Sequence, residues 1–245
     1  METTLLKGLR VLSAIAASDE PRGASDLARE LGMTRSNAHR LVQTLAAAGF
    51  VKPVDSEGKY AATLLLFELG ARAARRLDVW SVSYPVMSRL ARQCDENVIL
   101  ATLERGEMVV IERIESTRAL RTYTPIGTRT PLHCSSPGKV YLAFGEAPVS
   151  GKLDPFTART ITDPARLARE LGKTRARGYS IARGEWREDV GGMAVPLRGR
   201  DGRVLAALSV SGPVDRFRSK DIERHAPHLL RAGREISLEL GWREA

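Results

Sequence analysis

The stretch LGMTRSNAHRLVQTLAAAGFV, residues 31–51, decides the fold of the N-terminal part of this chain. Its apolar side chains recur at the helical period of 3.6 residues, which predicts an amphipathic helix with one buried stripe. That stripe consists of Ala38, Leu41, Val42 and Leu45. Thr34 is a suitable N-cap, because its hydroxyl can accept a hydrogen bond from a free N–H of the first turn.

The first half of this predicted helix also carries many hydrogen-bonding side chains that project away from the stripe. They are Arg35, Ser36, Asn37, His39, Arg40 and Gln43. A lone polar helix face is usually only solvated, but a recognition helix carries its base-reading and phosphate-holding residues in this half. Arginine matches guanine edges or phosphates, and Asn and Gln can pair with adenine, so the pattern leaves each residue's role open.

The segments around this helix complete a winged helix-turn-helix. Residues 4–18 predict a helix, and SDLARELG predicts a second one from Ser25 to Gly32. FVKPV and KYAAT, separated by DSEG, predict a β-hairpin that lies beside the recognition helix as a wing. Lys52 and Lys59 of this wing are placed to neutralise backbone phosphates. We therefore expect a domain over residues 1–62 that binds double-stranded DNA.

The remainder of the chain predicts a linker and an α+β domain. Residues 63–77 form an apolar stretch with an Arg-rich end, which indicates a linker helix. Residues 78–94 predict another helix, interrupted by Pro85. Beyond it, strand pairs such as NVILATLE with MVVIERIE and GGMAVPLRG with RVLAALSVSG alternate with helical segments. This order is typical of a sensor-like α+β domain, which we place over residues 78–245.

Composition bounds the class of protein. The 245 residues contain 43% hydrophobic and 27% charged residues, as in ordinary globular proteins. The net charge of +9 is not concentrated at the N-terminus, because residues 1–76 contribute +3 and the rest +6. We find no signal peptide or membrane span and expect a cytoplasmic protein. Cys94 and Cys134 lie far apart, and His225 and His228 lack the further carboxylate and cysteine ligands that a metal site needs. We therefore expect neither a metal nor a cofactor. We place both histidines at the surface of a helix.

Two long motifs in the C-terminal part carry a family resemblance. PIGTRTPLHCSSPGKVYLAF and GGMAVPLRGRDGRVLAALSVSGP, together with the helix-turn-helix segments, resemble the IclR family of bacterial transcriptional regulators over nearly the whole chain. The resemblance implies a winged-helix domain joined by a helix to a GAF-like effector-binding domain. It also implies a homodimer or homotetramer that binds operator DNA under the control of a small molecule.

Within that second domain, the strand LAALSVSG places Ser209 and Ser211 on one face, where two hydroxyls can hold a small polar ligand. The alternative is that both hydroxyls bond neighbouring backbone, and the resemblance favours the ligand. Ser136 is the predicted N-cap of a helix whose free N–H groups attract anions, although Pro137 removes one donor. The resemblance adds Ala119, Thr122, Thr130, Cys134 and Val190 to the ligand's surroundings.

Two positions depart from well-known relatives. Gly192 stands where some have cysteine, and Ala182 where they have aspartate. A roomier and less polar pocket predicts a larger effector than a small oxo-acid, such as an aromatic or otherwise bulkier acid.

The competing class is an enzyme. Ser136 and Lys139 fit the S-x-x-K pattern of penicillin-recognising hydrolases, but the partner motifs S-D-N and K-T-G are absent. Cys134 beside His133 suggests a thiol nucleophile, but neighbours on a strand point to opposite faces. We therefore predict a regulator without catalytic residues, and keep as the alternative a ligand-binding or hydrolytic enzyme of GAF-like fold that uses Ser136 or Cys134.

Overall fold

The computed structural model describes residues 3–54, 58–74, 78–145 and 152–243. The chain divides into two compact units, residues 1–76 and 77–245, called here the N-terminal and C-terminal units. The predicted turn at residues 55–57 and the end of the predicted linker helix at 75–77 lie outside the described residues.

Four helices and a small sheet make up the N-terminal unit. The helices are α1 (Thr3–Ala16), α2 (Ala24–Leu31), α3 (Arg35–Ala47) and α4 (Leu64–Ala74). The strands are β1 (Arg22–Gly23), β2 (Val51–Pro53) and β3 (Lys59–Ala62), in the order β1-β3-β2. The predicted hairpin is β2-β3, with Val51 opposite Ala62 and Pro53 opposite Tyr60. The pairing of β1 with β3 was not predicted, because two residues are too short for any alternation.

The core of the N-terminal unit forms around the predicted apolar stripe. Ala38, Leu41 and Val42 of α3 are buried, and Leu41 and Val42 share a cluster with Leu27 of α2 and Val11 of α1. Gly32 ends α2 in the left-handed conformation with φ of 64°, and Thr34 Oγ1 accepts a hydrogen bond from Asn37 N at 3.3 Å. These two residues set the turn between α2 and α3, as the sequence predicted.

A six-stranded antiparallel sheet is the centre of the C-terminal unit. Its strands are β4 (Asn97–Glu104), β5 (Glu107–Ile114), β6 (Arg129–Thr130), β7 (Ser180–Arg183), β8 (Val190–Arg198) and β9 (Val204–Pro213), in the order β6-β5-β4-β9-β8-β7. The helices are α5 (Asp78–Cys94), α6 (Ser136–Phe144), α7 (Pro164–Arg177) and α8 (Ser219–Glu239). Pro85 lies inside an unbroken α5 rather than interrupting it.

The two faces of this sheet have separate roles. Leu208 and Val210 belong to the larger core cluster, with residues of α5 and α8. Ala101, Ala194 and Ala207 pack with Val140 and Tyr141 of α6 on the opposite face. Since side chains alternate along a strand, Ser209 and Ser211 lie on the same face as Ala207, which is the α6 face. That the two serines share one face was predicted. The C-terminal unit has helices on both faces of an antiparallel sheet, and the N-terminal unit contains a helix-turn-helix. These features confirm the predicted α+β fold class.

Two further predictions, about His225 and about His133 with Cys134, were wrong. His225 is not a surface residue, because its side chain is 2% exposed and its ring centroid lies 6.2 Å from that of Phe217. His133 and Cys134 lie in a turn rather than on a strand.

In the described part of the chain, no helix is long and apolar enough to cross a membrane.

Candidate functional site

The polar side of α3 is open to solvent. Five of the six side chains predicted to contact DNA are exposed, namely Arg35, Ser36, His39, Arg40 and Gln43. Asn37 is half-buried, and its Oδ1 lies 3.4 Å from Arg40 Nη2, one helical turn away. This weak contact keeps the amide and the guanidinium on one surface, where both can contact a ligand outside the protein.

The N-terminal unit carries further cations outside α3. Lys52 on β2 is exposed, and Lys59 on β3 is half-buried. Lys7 and Arg10 of α1, which sequence reasoning did not select, line an open pocket of about 440 Å³ together with Thr34 and Asn37 at the start of α3. The signal for them was their i,i+3 spacing, which places two cations on neighbouring turns of α1.

The C-terminal unit contains a cavity of about 60 Å³ between the sheet and the start of α6. A cavity needs about 10–15 Å³ of water-accessible volume to hold one water, so this one can hold more than one. Its walls include seven residues predicted for the effector site: Thr130, Cys134, Ser136, Val190, Gly192, Ser209 and Ser211.

Two predicted residues lie outside this lining. Ala119 is exposed. Thr122 is buried but is engaged elsewhere, because Asn97 Nδ2 donates to its carbonyl at 2.7 Å and to its hydroxyl at 3.1 Å. Sequence reasoning missed several lining residues, including Thr124, Glu185, Trp186 and Arg187. The last three sit in the loop after β7, where no periodicity tells which way a side chain points.

Serine hydroxyls supply the polar part of the cavity. Ser136 Oγ lies 3.3 Å from Ser209 Oγ, so these two hydroxyls bond each other. Ser211 Oγ is buried and has no hydrogen-bond partner among the described residues. Strand pairing explains this grouping, because Ser211 lies opposite Gly192, which has no side chain to fill the space between them.

The N-terminus of α6 differs from the prediction in its cap. Ser135, not Ser136, is the N-cap, and its Oγ accepts a hydrogen bond from Gly138 N at 3.2 Å. Ser136 is the first helical residue, and its carbonyl accepts a hydrogen bond from Ser180 Oγ at 2.6 Å. Because Gly138 N is capped and Pro137 has no N–H, neither of these two residues offers a free donor at the helix end.

An ion pair lies next to the hydroxyls. Lys139 of α6 is 1% exposed, and its Nζ donates to Glu185 Oε1 at 2.6 Å and to Ile181 O at 3.0 Å. Burial raises the pKa of Glu185 above its usual value, although the ammonium of Lys139 acts in the opposite direction. Glu185 Oε2 has no hydrogen-bond partner among the described residues, so one face of this carboxylate is unsatisfied.

Neither candidate nucleophile has the environment of one. Burial raises the pKa of the Cys134 thiol to about 12, and the Glu185 carboxylate adds to this shift. A thiol in that state carries almost no thiolate near neutral pH. The hydroxyl partner of Ser136 is another serine, which is no general base. Among the described residues, no group of His, Cys, Asp and Glu could hold a metal ion.

The two positions that depart from relatives border the cavity. Ala182 and Gly192 both line it. A Cβ added at Gly192 would come within 3.0 Å of Ser136 Oγ and 3.1 Å of Val210 O. The missing side chain therefore provides room beside Ser136, while the cavity as a whole stays small. The larger effector inferred from these positions remains a prediction.

Comparison with known proteins assigns both units. Residues 4–55 match the model of the IclR helix-turn-helix domain, and residues 71–238 match that of the bacterial transcriptional regulator IclR C-terminal domain. The chain is 33% identical to the HTH-type transcriptional regulator KdgR of Escherichia coli (strain K12), over 99% of this chain and 94% of that protein. It is 28% identical to the transcriptional repressor IclR of the same organism, over 97% and 90%.

A solved structure is similar over the same length. An IclR homolog from Microbacterium hydrocarbonoxydans, crystallised in complex with 4-hydroxybenzoate, superposes with a TM-score of 0.84 and 30% sequence identity. The superposition covers 97% of this chain and 98% of that one. These relatives are regulators and repressors, so the alternative of a hydrolase that uses Ser136 or Cys134 is not supported.

Proposed function

The chain belongs to the IclR family of bacterial transcriptional regulators, and on that premise we propose that a small organic acid, bound in the C-terminal cavity, controls its binding to operator DNA in the cytoplasm. It is a DNA-binding regulator with an effector-binding domain, and not an enzyme.

The exposed polar side of α3 is the proposed reading surface. Its donors Arg35, Ser36, Asn37, His39, Arg40 and Gln43 enter the major groove, while Lys52 and Lys59 of the hairpin hold backbone phosphates. The observation that supports this is the exposure of the α3 donors on a helix whose opposite side is packed into the core. A surface that served only for solubility would not need three different base-compatible side chain types within one turn and a half.

Gel retardation with the DNA upstream of the protein's own gene tests this surface. We expect Arg40→Ala to weaken specific binding about 5- to 150-fold, because a well-placed arginine contact is worth about 1–3 kcal/mol. Arg169→Ala removes the same charge from an exposed position on α7 and is the matched control. Equal affinities for the two variants would show that α3 is not the reading surface.

The proposed effector is an aromatic acid or another acid of similar size. The cavity of about 60 Å³ fits a small ligand, and the ring of Trp186 and the side chains of Ile99, Val110 and Val190 give it apolar walls. The serine hydroxyls can bind a carboxylate. The similar protein that holds 4-hydroxybenzoate supports this class.

Calorimetric titration with benzoates, pyruvate and glyoxylate tests the proposed effector class. Tight binding of the two oxo-acids alone would exclude an aromatic acid.

Assembly as a homodimer is supported by apolar side chains that the N-terminal unit leaves uncovered. On α1, Leu5 is 62% and Leu9 50% exposed; on α4, Leu64 is 76% and Phe67 73% exposed. Large exposed apolar residues on two helices indicate a surface that a second subunit covers. A twofold dimer would then present two α3 helices to half-sites about 34 Å apart. Sedimentation equilibrium of the chain and of its Phe67→Ser variant distinguishes monomer, dimer and tetramer.

A further inference from the structure

Two polar atoms in the wall of the C-terminal cavity lack hydrogen-bond partners among the described residues. They are Glu185 Oε2 and Ser211 Oγ. Ser211 is 6% exposed as a residue, and the side chain of Glu185 is 12% exposed. Buried polar groups are nearly always satisfied, and leaving one unpaired is costly, so each unpaired group calls for a partner that is absent from the protein alone.

Glu185 is held in place from three directions. Its Oε1 accepts from Lys139 Nζ at 2.6 Å. Its backbone carbonyl accepts from Thr160 Oγ1 at 2.6 Å and from Thr157 Oγ1 at 3.4 Å. With both the backbone and one carboxylate oxygen fixed, the second oxygen cannot turn away to solvent without breaking the ion pair. This is a preorganised acceptor, and preorganisation raises the affinity for a matching donor.

The charge of Glu185 also sets the orientation of an anionic ligand. A carboxylate placed against Glu185 would face a like charge, which is unfavourable in a partly buried site. The hydroxyls of Ser136, Ser209 and Ser211 carry no charge and can donate hydrogen bonds to it. The cavity therefore combines neutral donors, which suit a carboxylate, with one charged acceptor, which suits only a hydrogen-bond donor.

We propose that the effector is an acid with a hydroxyl or amino group away from its carboxylate, and that Glu185 Oε2 accepts a hydrogen bond from this group while the three serine hydroxyls bind the carboxylate. This inference rests on the proposed acid effector and deepens it. Glu185 is the residue that separates hydroxy- and amino-substituted acids from their unsubstituted analogues.

Calorimetric titration of the full chain with matched ligands tests the inference. The probes are benzoate, 3-hydroxybenzoate, 4-hydroxybenzoate and 4-aminobenzoate. We expect at least one donor-bearing acid to bind about 10- to 100-fold more tightly than benzoate, the range for a hydrogen bond to a charged group. In Glu185→Gln this preference shrinks at least fivefold, because a hydrogen bond to a neutral acceptor is weaker. Ser211→Ala weakens all the acids, including benzoate.

Glu188→Gln is the matched control, since Glu188 is exposed in the same loop and does not belong to the cavity lining. It should retain the wild-type preference. Equal affinity of the wild type for benzoate and for every donor-bearing acid overturns the inference, as does an unchanged preference in Glu185→Gln. Binding of none of the four probes also overturns it. If Glu185→Gln does not fold, two measurements still test the inference. They are the preference of the wild type for donor-bearing acids over benzoate and the weaker binding of all the acids by Ser211→Ala.

Operator binding separates this inference from the proposed function. Gel retardation in the presence of each acid reports whether any acid controls DNA binding at all. An operator complex that responds to benzoate and the substituted acids alike leaves the proposed function standing and removes the role of Glu185. A complex that responds to no acid contradicts the proposed function itself.

Discussion

The ammonium of Lys139 and the carboxylate of Glu185 form an ion pair 2.6 Å long at the wall of the cavity, with side chains only 1% and 12% exposed. The two residues are 46 positions apart in sequence. The pair connects α6 to the loop after β7, so it joins two of the elements that enclose the cavity. Its loss should affect both stability and effector binding.

We predict that Lys139→Met lowers the free energy of unfolding by about 3–5 kcal/mol at pH 7, because it leaves a buried carboxylate without its partner. Burial already raises the pKa of Glu185 in the folded state. A carboxyl group with a raised pKa destabilises the folded state when it is ionised and not when it is protonated. The stability that Lys139→Met loses relative to the wild type should therefore shrink as the pH falls toward the pKa of Glu185 in the unfolded chain. It should grow as the pH rises. Urea unfolding at several pH values measures both effects.

The control for this variant is Lys152→Met. Lys152 and Asp154 lie 3.6 Å apart with side chains 85% and 64% exposed, and exposed pairs contribute little. We expect a change within about 0.5 kcal/mol that does not depend on pH in this way. If the two variants lose equal stability, the Lys139–Glu185 pair has no special role.

A second prediction concerns Gly138, the third residue of α6. A Cβ at this position would collide with the backbone of Leu132, and backbone cannot move aside as a flexible side chain can. We expect Gly138→Ala to lower the free energy of unfolding of the C-terminal unit by several kcal/mol, or to prevent its folding. Gly172→Ala in the interior of α7 meets nothing within 4 Å and should instead stabilise the unit by about 0.5–1 kcal/mol. Thermal unfolding of both variants makes the comparison, and similar melting temperatures would contradict it.

The parts of the fold that were predictable from sequence are those with strong local periodicity. The stripe of α3, the N-cap Thr34 and the strands β4, β5, β8 and β9 follow from spacing and from turn residues. Arg105 and Gly106 between β4 and β5 have φ of 54° and 82°, the conformation that a two-residue hairpin turn requires. In contrast, β1 and β6 have two residues each, and their existence depends on strands that are distant in sequence.

The same limit explains the cavity. Ser209 and Ser211 were predictable as a pair because strand geometry fixes which face they share. Glu185 was not, because it lies in a loop, and only the contact with Lys139 determines where its carboxylate points. The misplaced cap at Ser136 has a local cause: SSPGK offers two adjacent serines, and only the helix register selects Ser135.

A third prediction follows from the burial of His225 on α8. Desolvation lowers its pKa from about 6.5 to about 4, with further lowering by Arg224 and partial compensation by Asp221. A lowered histidine pKa means that the unfolded chain binds the proton more readily, so this contribution to stability is complete above about pH 6.5 and is lost as the pH falls toward 4. We expect a loss on the order of 3 kcal/mol over that range.

His225→Leu removes the titrating group and tests this assignment. Urea unfolding at pH 7.5 and at pH 5 should show a smaller difference in the variant than in the wild type. Leu keeps an apolar contact with Phe217, so the comparison at pH 7.5 reports any change in packing separately. An identical acid-induced loss in both proteins would assign the effect to other groups.

The last prediction concerns Lys7 and Arg10 of α1, which line an open pocket with Thr34 and Asn37 at the start of α3. Two cations beside a helix N-terminus favour a backbone phosphate, whose binding does not depend on base sequence. We expect Lys7→Ala to weaken binding equally to operator and to unrelated duplex, and to reduce the salt dependence of log K by about one unit of slope. Fluorescence anisotropy between 50 and 200 mM salt, roughly the range in which phosphate contacts dominate, measures both the affinities and the slope.

Lys220→Ala, which removes an exposed lysine of α8, is the control and should leave the slope unchanged. A loss confined to the operator would show instead that Lys7 acts on base recognition, because a phosphate contact cannot distinguish one sequence from another.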